Sequence, residues 1–151
     1  MMKKIILISL LTVASLFSSS FKVGDNIGVF SLPNQFDKKR SVDPSVQTII
    51  VSFEKDTGAN VNNFLDSKNV DFLQKHHAVF IADISGMPSI ITKLFALPKM
   101  RDYKHSILLI YNENDERFIK EEGKSTLYRL QNGVIKSISF ITKDDLEEVF
   151  K

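Results

Sequence analysis

Three short runs of consecutive apolar residues punctuate the chain: TIIVSF at 48–53, AVFIA at 78–82 and SILLIY at 106–111. Runs of this length, rich in β-branched residues and bounded by polar ones, predict strands covered on both faces. Between them the period changes. From Ala59 onward, Val61, Phe64, Leu65, Phe72 and Leu73 recur at helical spacing, with 66–69 as an interruption and 54–58 as a preceding loop. Ser85-Gly86-Met87-Pro88 opens a second helix, with Ile90, Ile91, Leu94 and Phe95 as its buried face and Pro98 as its stop. The charged segment 112–122, which contains Phe118 and Ile119, predicts a short exposed helix. Residues 126–130 and 134–140 alternate about Asn132-Gly133, a strong hairpin signal, with Val134, Lys136, Ile138 and Phe140 on one side of the second strand. Thr142 and Asp145 form a capping-box variant before a last helix buried through Leu146, Val149 and Phe150. The beginning, 21–36, is extended, with Ile27, Val29 and Phe36 as inward candidates, followed by a polar turn at 37–40 and a loop at 41–47. This order predicts one α/β domain over 21–151, with a mixed central sheet, helices on both faces and a terminal β-hairpin plus helix.

Residues 1–20 follow a different rule. Lys3 and Lys4 precede an apolar stretch, 5–17, and three serines, Ser18, Ser19 and Ser20. This is the pattern of a secretory signal peptide cut near Ser20. The apolar stretch falls short of the ~20 residues needed to span a bilayer. The expectation is therefore export to the periplasm, with membrane contact only through this leader. Its removal takes two of the 20 basic residues and none of the 18 acidic ones, leaving a neutral domain. Without a basic block, nucleic-acid binding is not expected. The sequence holds no cysteine, which removes disulfides, thiol catalysis and cysteine–metal sites together.

Three local patterns in this order resemble the thioredoxin-like superfamily, in its peroxiredoxin and thiol-reductase branches and the small exported YtfJ-type proteins. Val23-Gly24-Asp25, then Phe30-Ser31-Leu32-Pro33 through Lys38-Lys39, resembles the family's opening "VGD…F.L.D..GK". The strand at 48–53 followed by Lys55-Asp56-Thr57-Gly58-Ala59-Asn60 resembles the strand–loop–helix that carries the catalytic cysteine. Residues 125–135, STLYRLQNGVI, resemble the last hairpin of that fold. The resemblance covers nearly all of 21–151. The departures are chemical. Peroxiredoxins place a threonine three residues before the peroxidatic cysteine; here Thr57 leads to Asn60. The cysteine pair of thioredoxins finds no counterpart in 58–61, and Lys124-Ser125 stands where the fold carries a proline. An asparagine amide forms neither thiolate nor disulfide. The resemblance thus implies a cysteine-less domain without thiol redox activity or cofactor, which binds a protein or peptide through the surface once arranged around the sulfur: Thr57, Gly58, Asn60 and Ser125.

Other side chains offer weaker chemistry. Met87, Met100 and His105 are candidates for a soft-metal or small-ligand carrier site in an exported protein. His76 and His77 are adjacent and diverge on a helix, so they suit a solvated helix end better than one metal. Asp83 and Ser85 read as a helix cap. Residues 99–105 are basic, with one acid and one aromatic, and could meet a partner or an anionic surface.

Overall fold

The computed structural model describes residues 20–151; the predicted leader, up to residue 19, lies outside the described residues. Seven strands are formed: β1 (Phe30–Pro33), β2 (Lys39–Val42), β3 (Thr48–Ser52), β4 (Ala78–Asp83), β5 (Leu108–Ile110), β6 (Ser125–Gln131) and β7 (Val134–Ile141). The helices are α1 (Lys55–Asp66), α2 (Phe72–Lys75), α3 (Ser89–Ile91), α4 (Leu97–Arg101) and α5 (Leu146–Val149). A π-helical turn, Thr92–Ala96, joins α3 to α4, and a 3-10 turn, Lys143–Asp145, leads into α5.

All three apolar runs become neighbouring strands of one five-stranded sheet, ordered β5-β4-β3-β6-β7. β3 and β4 pair in parallel, as do β4 and β5; β6 and β7 are antiparallel to their neighbours. Side chains alternate between two cores. Ile50, Phe80, Leu109 and Leu127 face one, packed against Val61 and Leu65 of α1, Leu97 of α4, and Leu146 and Val149 of α5. Ile49, Val51, Ile81, Leu108 and Tyr128 face the other.

That second face departs from expectation. The helices pack their buried residues on the first face, and no helix forms within 112–122. The second face is closed instead by the N-terminal arm (Ile27, Leu32, Val42 and Val46) and by Phe118. Side chains compete with helix formation in that loop: Asn114 N–H donates to Asn112 Oδ1 at 2.9 Å and Arg117 N–H to Asp115 Oδ1 at 3.2 Å. Its end is pinned to β6, where Ile119 N–H donates to the Tyr128 hydroxyl at 2.9 Å and the Thr126 hydroxyl donates to Ile119 O at 2.7 Å. Burial pushes the Tyr128 phenol up to about 12, so it stays a neutral partner.

Other boundaries moved for local reasons. α1 starts inside the predicted loop, because Gly58 N–H already reaches Glu54 O at 2.9 Å. Its first turn is polar, with Lys55 and Asp56 exposed, which hides it from apolar periodicity. The predicted turn and loop after Phe36 hold β2, a hydrophilic partner of β1 in which only Val42 is buried. Val29 and Phe36 face solvent, whereas Ile27 is buried. Pro98 does not stop its helix but lies inside α4. A proline ring clashes with the carbonyl four residues back, and the wider π turn just before it gives the ring room. In the same helical run Thr92 and Leu97 are buried, and the four predicted core residues point outward. In β7, a register shift opposite Arg129 and Leu130 breaks the predicted alternation: Ile135 packs on the second face and Ile141 on the first.

The predicted hairpin turn holds, with Asn132 and Gly133 at φ 51° and 79°. So does the return bond of the last cap, with Thr142 N–H on the Asp145 carboxylate at 2.8 Å. A polar tie missed by periodicity joins the N-terminal arm to the sheet. Gln35, fully buried, donates to His105 O at 2.8 Å and accepts from Ile107 N–H at 2.9 Å. His105 in turn bonds Asn62 Oδ1 through Nε2 at 2.8 Å. Burial holds the His105 imidazole below its ordinary value, against the opposing pull of the Asp66 charge. Protonation therefore favours the unfolded chain. This contribution to stability is complete above about 6.5, the ordinary histidine value, and is lost as pH falls through it toward the depressed native value. Urea midpoints should fall between pH 7.5 and pH 5.5, and His105→Gln should flatten part of that fall. An unchanged slope in the variant would contradict the assignment.

Candidate functional site

The site begins where β3 ends. Ser52, the last residue of an otherwise apolar strand, is buried, as is Ser125 at the start of β6, and their hydroxyls meet at 2.7 Å. Each hydroxyl satisfies the other in a place where an unpaired one costs about 1–3 kcal/mol. The chain then turns through Glu54, extended at φ −131° and ψ 155°, into α1. Glu54 Oε2 accepts the Gly123 N–H at 3.0 Å, tying the helix entrance to the loop before β6. Gly123 sits at φ 75°, a conformation that favours glycine. The Thr57 hydroxyl folds back onto Glu54 O at 3.1 Å.

Between these elements and the start of the last helical segment lies a cleft of about 280 Å³. Thr57, Asn60 and Ser125, three of the four residues expected from the sequence, line it together. Gly58 does not; it faces β3, where an added Cβ would meet Ser52 Cβ at an ordinary 3.9 Å. Thr57 and Ser125 are buried in its wall, and Asn60 is half-buried. The Asn60 amide takes part in none of the side-chain hydrogen bonds formed among the described residues, so both its donor and acceptor ends are free. Val61, Ile141 and Leu146 supply apolar wall, and Lys143 and Asp144 stand opposite in charge on the far side. Sequence reading missed Ser52, Glu54, Lys143 and Asp144. The one visible signal was Ser52, a serine inside an apolar strand.

What this arrangement can do is bind. It offers hydroxyls, a free amide and apolar wall at the carboxyl end of β3, next to a helix start, where open α/β sheets place ligands. It holds no thiol, because the sequence has none. Met87 and His105 line different cavities, and Met100 lines neither of them. Met87 lines a cavity of about 610 Å³ with Tyr111, Lys93 and Arg101. His105 lines a different one, of about 560 Å³, with Nε2 already engaged by Asn62. Met100 packs against the first core. His76 Nδ1 is bonded to Phe72 O at 2.9 Å, and its ring sits among Phe72 and Phe150. The Asp83–Ser85 pair closes a local turn, Ser85 Oγ to Asp83 Oδ1 at 2.6 Å.

Strand order, the helix after β3 and the closing hairpin–helix define a thioredoxin-like fold, and solved structures agree. StoA from Bacillus subtilis superposes with a TM-score of 0.53 at 16% identity, over 82% of this chain and 97% of its own. The thioredoxin domain of a thiol-disulfide oxidoreductase from Bacteroides vulgatus gives 0.53 at 11% identity, over 87% and 100%. The peroxidoxin BcpB from Mycobacterium tuberculosis gives 0.51 at 13%, over 85% and 92%. No family model and no curated protein matches the sequence. The chain is thus a cysteine-less protein of thioredoxin-like fold.

The serine pair makes a measurable prediction. Ser125→Ala strands the Ser52 hydroxyl and should lower stability by about 1–2 kcal/mol. The Ser52→Ala, Ser125→Ala double variant should cost less than the sum of the singles. Additive urea-denaturation energies would show that the pair is not coupled.

Proposed function

We propose that this chain is an exported, periplasmic, non-redox member of the thioredoxin-like fold that binds an extended segment of another protein or a peptide at the cleft beside Asn60. The observation that carries the reading is the cleft itself. With no cysteine in the chain, its walls are still held by Ser52–Ser125 and Glu54–Gly123. The unengaged Asn60 amide presents a donor and an acceptor side by side, as a peptide backbone does. Thr57 and Ser125 flank it, and Val61, Ile141 and Leu146 provide contact for an apolar side chain.

Export rests on the leader pattern of residues 1–20. Among the described residues no helix is long and apolar enough to cross a membrane. The alternative, a metal or small-ligand carrier built on Met87, Met100 and His105, draws less support, because Met87 and His105 line different cavities and His105 Nε2 is already engaged by Asn62.

The test is capture from the cell envelope by the native chain and by Asn60→Lys, which fills the cleft from a half-buried position without entering the core. A partner held by the native chain and weakened about tenfold or more by the substitution is the expected result. An identical set of partners in both would overturn the reading. Disulfide reduction and peroxide consumption, assayed on the same protein, should both stay at background.

A further inference from the structure

The helical run 89–101 carries its apolar residues on the wrong side for a core. Ile90, Ile91, Leu94 and Phe95 are exposed by 63%, 41%, 61% and 65% of their surfaces. Thr92 and Leu97 hold the same run against the domain. The outer side is therefore a cluster of exposed aliphatic and aromatic side chains, the kind of surface that can mark an interaction site.

Charge decides what fits it. Residues 85–105 contain Lys93, Lys99, Arg101 and Lys104 against the single acid Asp102, in a domain that is net negative elsewhere. Lys93, Lys99 and Lys104 are exposed, and none enters an ion pair formed among the described residues. Arg101 is already committed to Asp37 at 3.6 Å and to Gln35 O at 2.8 Å. A second copy of this chain fits poorly. A two-fold interface sets the same patch against itself, so it would bring like lysines together. A protein partner is a weaker match as well, since protein interfaces deplete lysine and favour tyrosine, tryptophan and arginine. Aliphatic residues and phenylalanine exposed on a helical run that also carries the free lysines Lys93 and Lys99 match the composition of helices that lie in a membrane interface. The run is too short to span a bilayer.

We propose that the outer face of helix 89–101 docks this protein on an anionic lipid surface, with Ile90, Leu94 and Phe95 entering the headgroup boundary and Lys93 and Lys99 facing the lipid phosphates. This is a membrane contact separate from the leader and on a different element from the Asn60 cleft.

The sequence holds no tryptophan, so Phe95→Trp installs a single reporter in the patch that does not respond to binding elsewhere. Vesicles of phosphatidylcholine with about 30% phosphatidylglycerol should shift its emission to the blue and expose it to quenching by brominated acyl chains. Phosphatidylcholine alone should give at least roughly tenfold weaker binding, as should Lys93→Gln with Lys99→Gln. In co-sedimentation, Leu94→Glu with Phe95→Glu should lose patch-dependent binding while keeping the native melting profile, as expected for exposed positions. An unshifted, unquenched tryptophan on anionic vesicles would overturn the proposal. So would a dimer in solution that the Leu94→Glu, Phe95→Glu variant dissolves.

Discussion

The structure depends on β3 being buried on every side. All five of its residues are buried, with β4 and β6 as neighbours and a separate core on each face. A strand in that position has its hydrogen bonds and its register fixed by others, so its end is fixed as well. Ser52 is therefore placed against Ser125, and the chain leaves the sheet at a set point into α1. Thr57 and Asn60 are located by that constraint, one and two turns further on. The cleft is a consequence of sheet geometry, not of flexible loops around it.

The same constraint explains what could be read in advance. A strand covered on both faces is predominantly apolar, so 48–53, 78–82 and 106–111 announced themselves. Asn132-Gly133 announced the hairpin, because few pairs tolerate two positive φ angles. Three of four expected cleft residues do line one cleft, because they were placed relative to β3 and β6. What failed had other determinants. β2 is a hydrophilic strand, specified by its partner β1 and not by its own pattern. The 112–122 loop is shaped by side chains bonding backbone, which periodicity does not register. In 89–101 the apolar spacing was read correctly and its orientation was not, since spacing alone does not say whether such a stripe faces a core or something outside the molecule.

Polar groups inside the fold show a division of labour. Gln35, His105 and Asn62 form a bonded set near the carboxyl-terminal end of the 89–101 run, where the N-terminal arm meets the sheet. Its members use their bonding capacity on one another and on backbone. Among the described residues no buried side-chain polar atom lacks a partner. Asn60 differs because it is only half-buried and keeps its amide free. In that contrast one asparagine is spent on architecture and another, two residues away on the same helix, is left available.

Closing the second face without a helix has a consequence for the order of assembly. The N-terminal arm is held by groups far along the chain. Gly24 N–H donates to Ile135 O at 2.8 Å, Ile27 N–H to Gly133 O at 2.9 Å, and Phe21 N–H to Arg117 O at 2.8 Å. The bonds from Gly24 and Ile27 can therefore form only once the last hairpin has formed. Closing so long a loop is slow, because its entropy is lost before the distant contacts can compensate. Without the arm in place, the apolar face carrying Ile49, Val51 and Ile81 would stand open to water and to other chains.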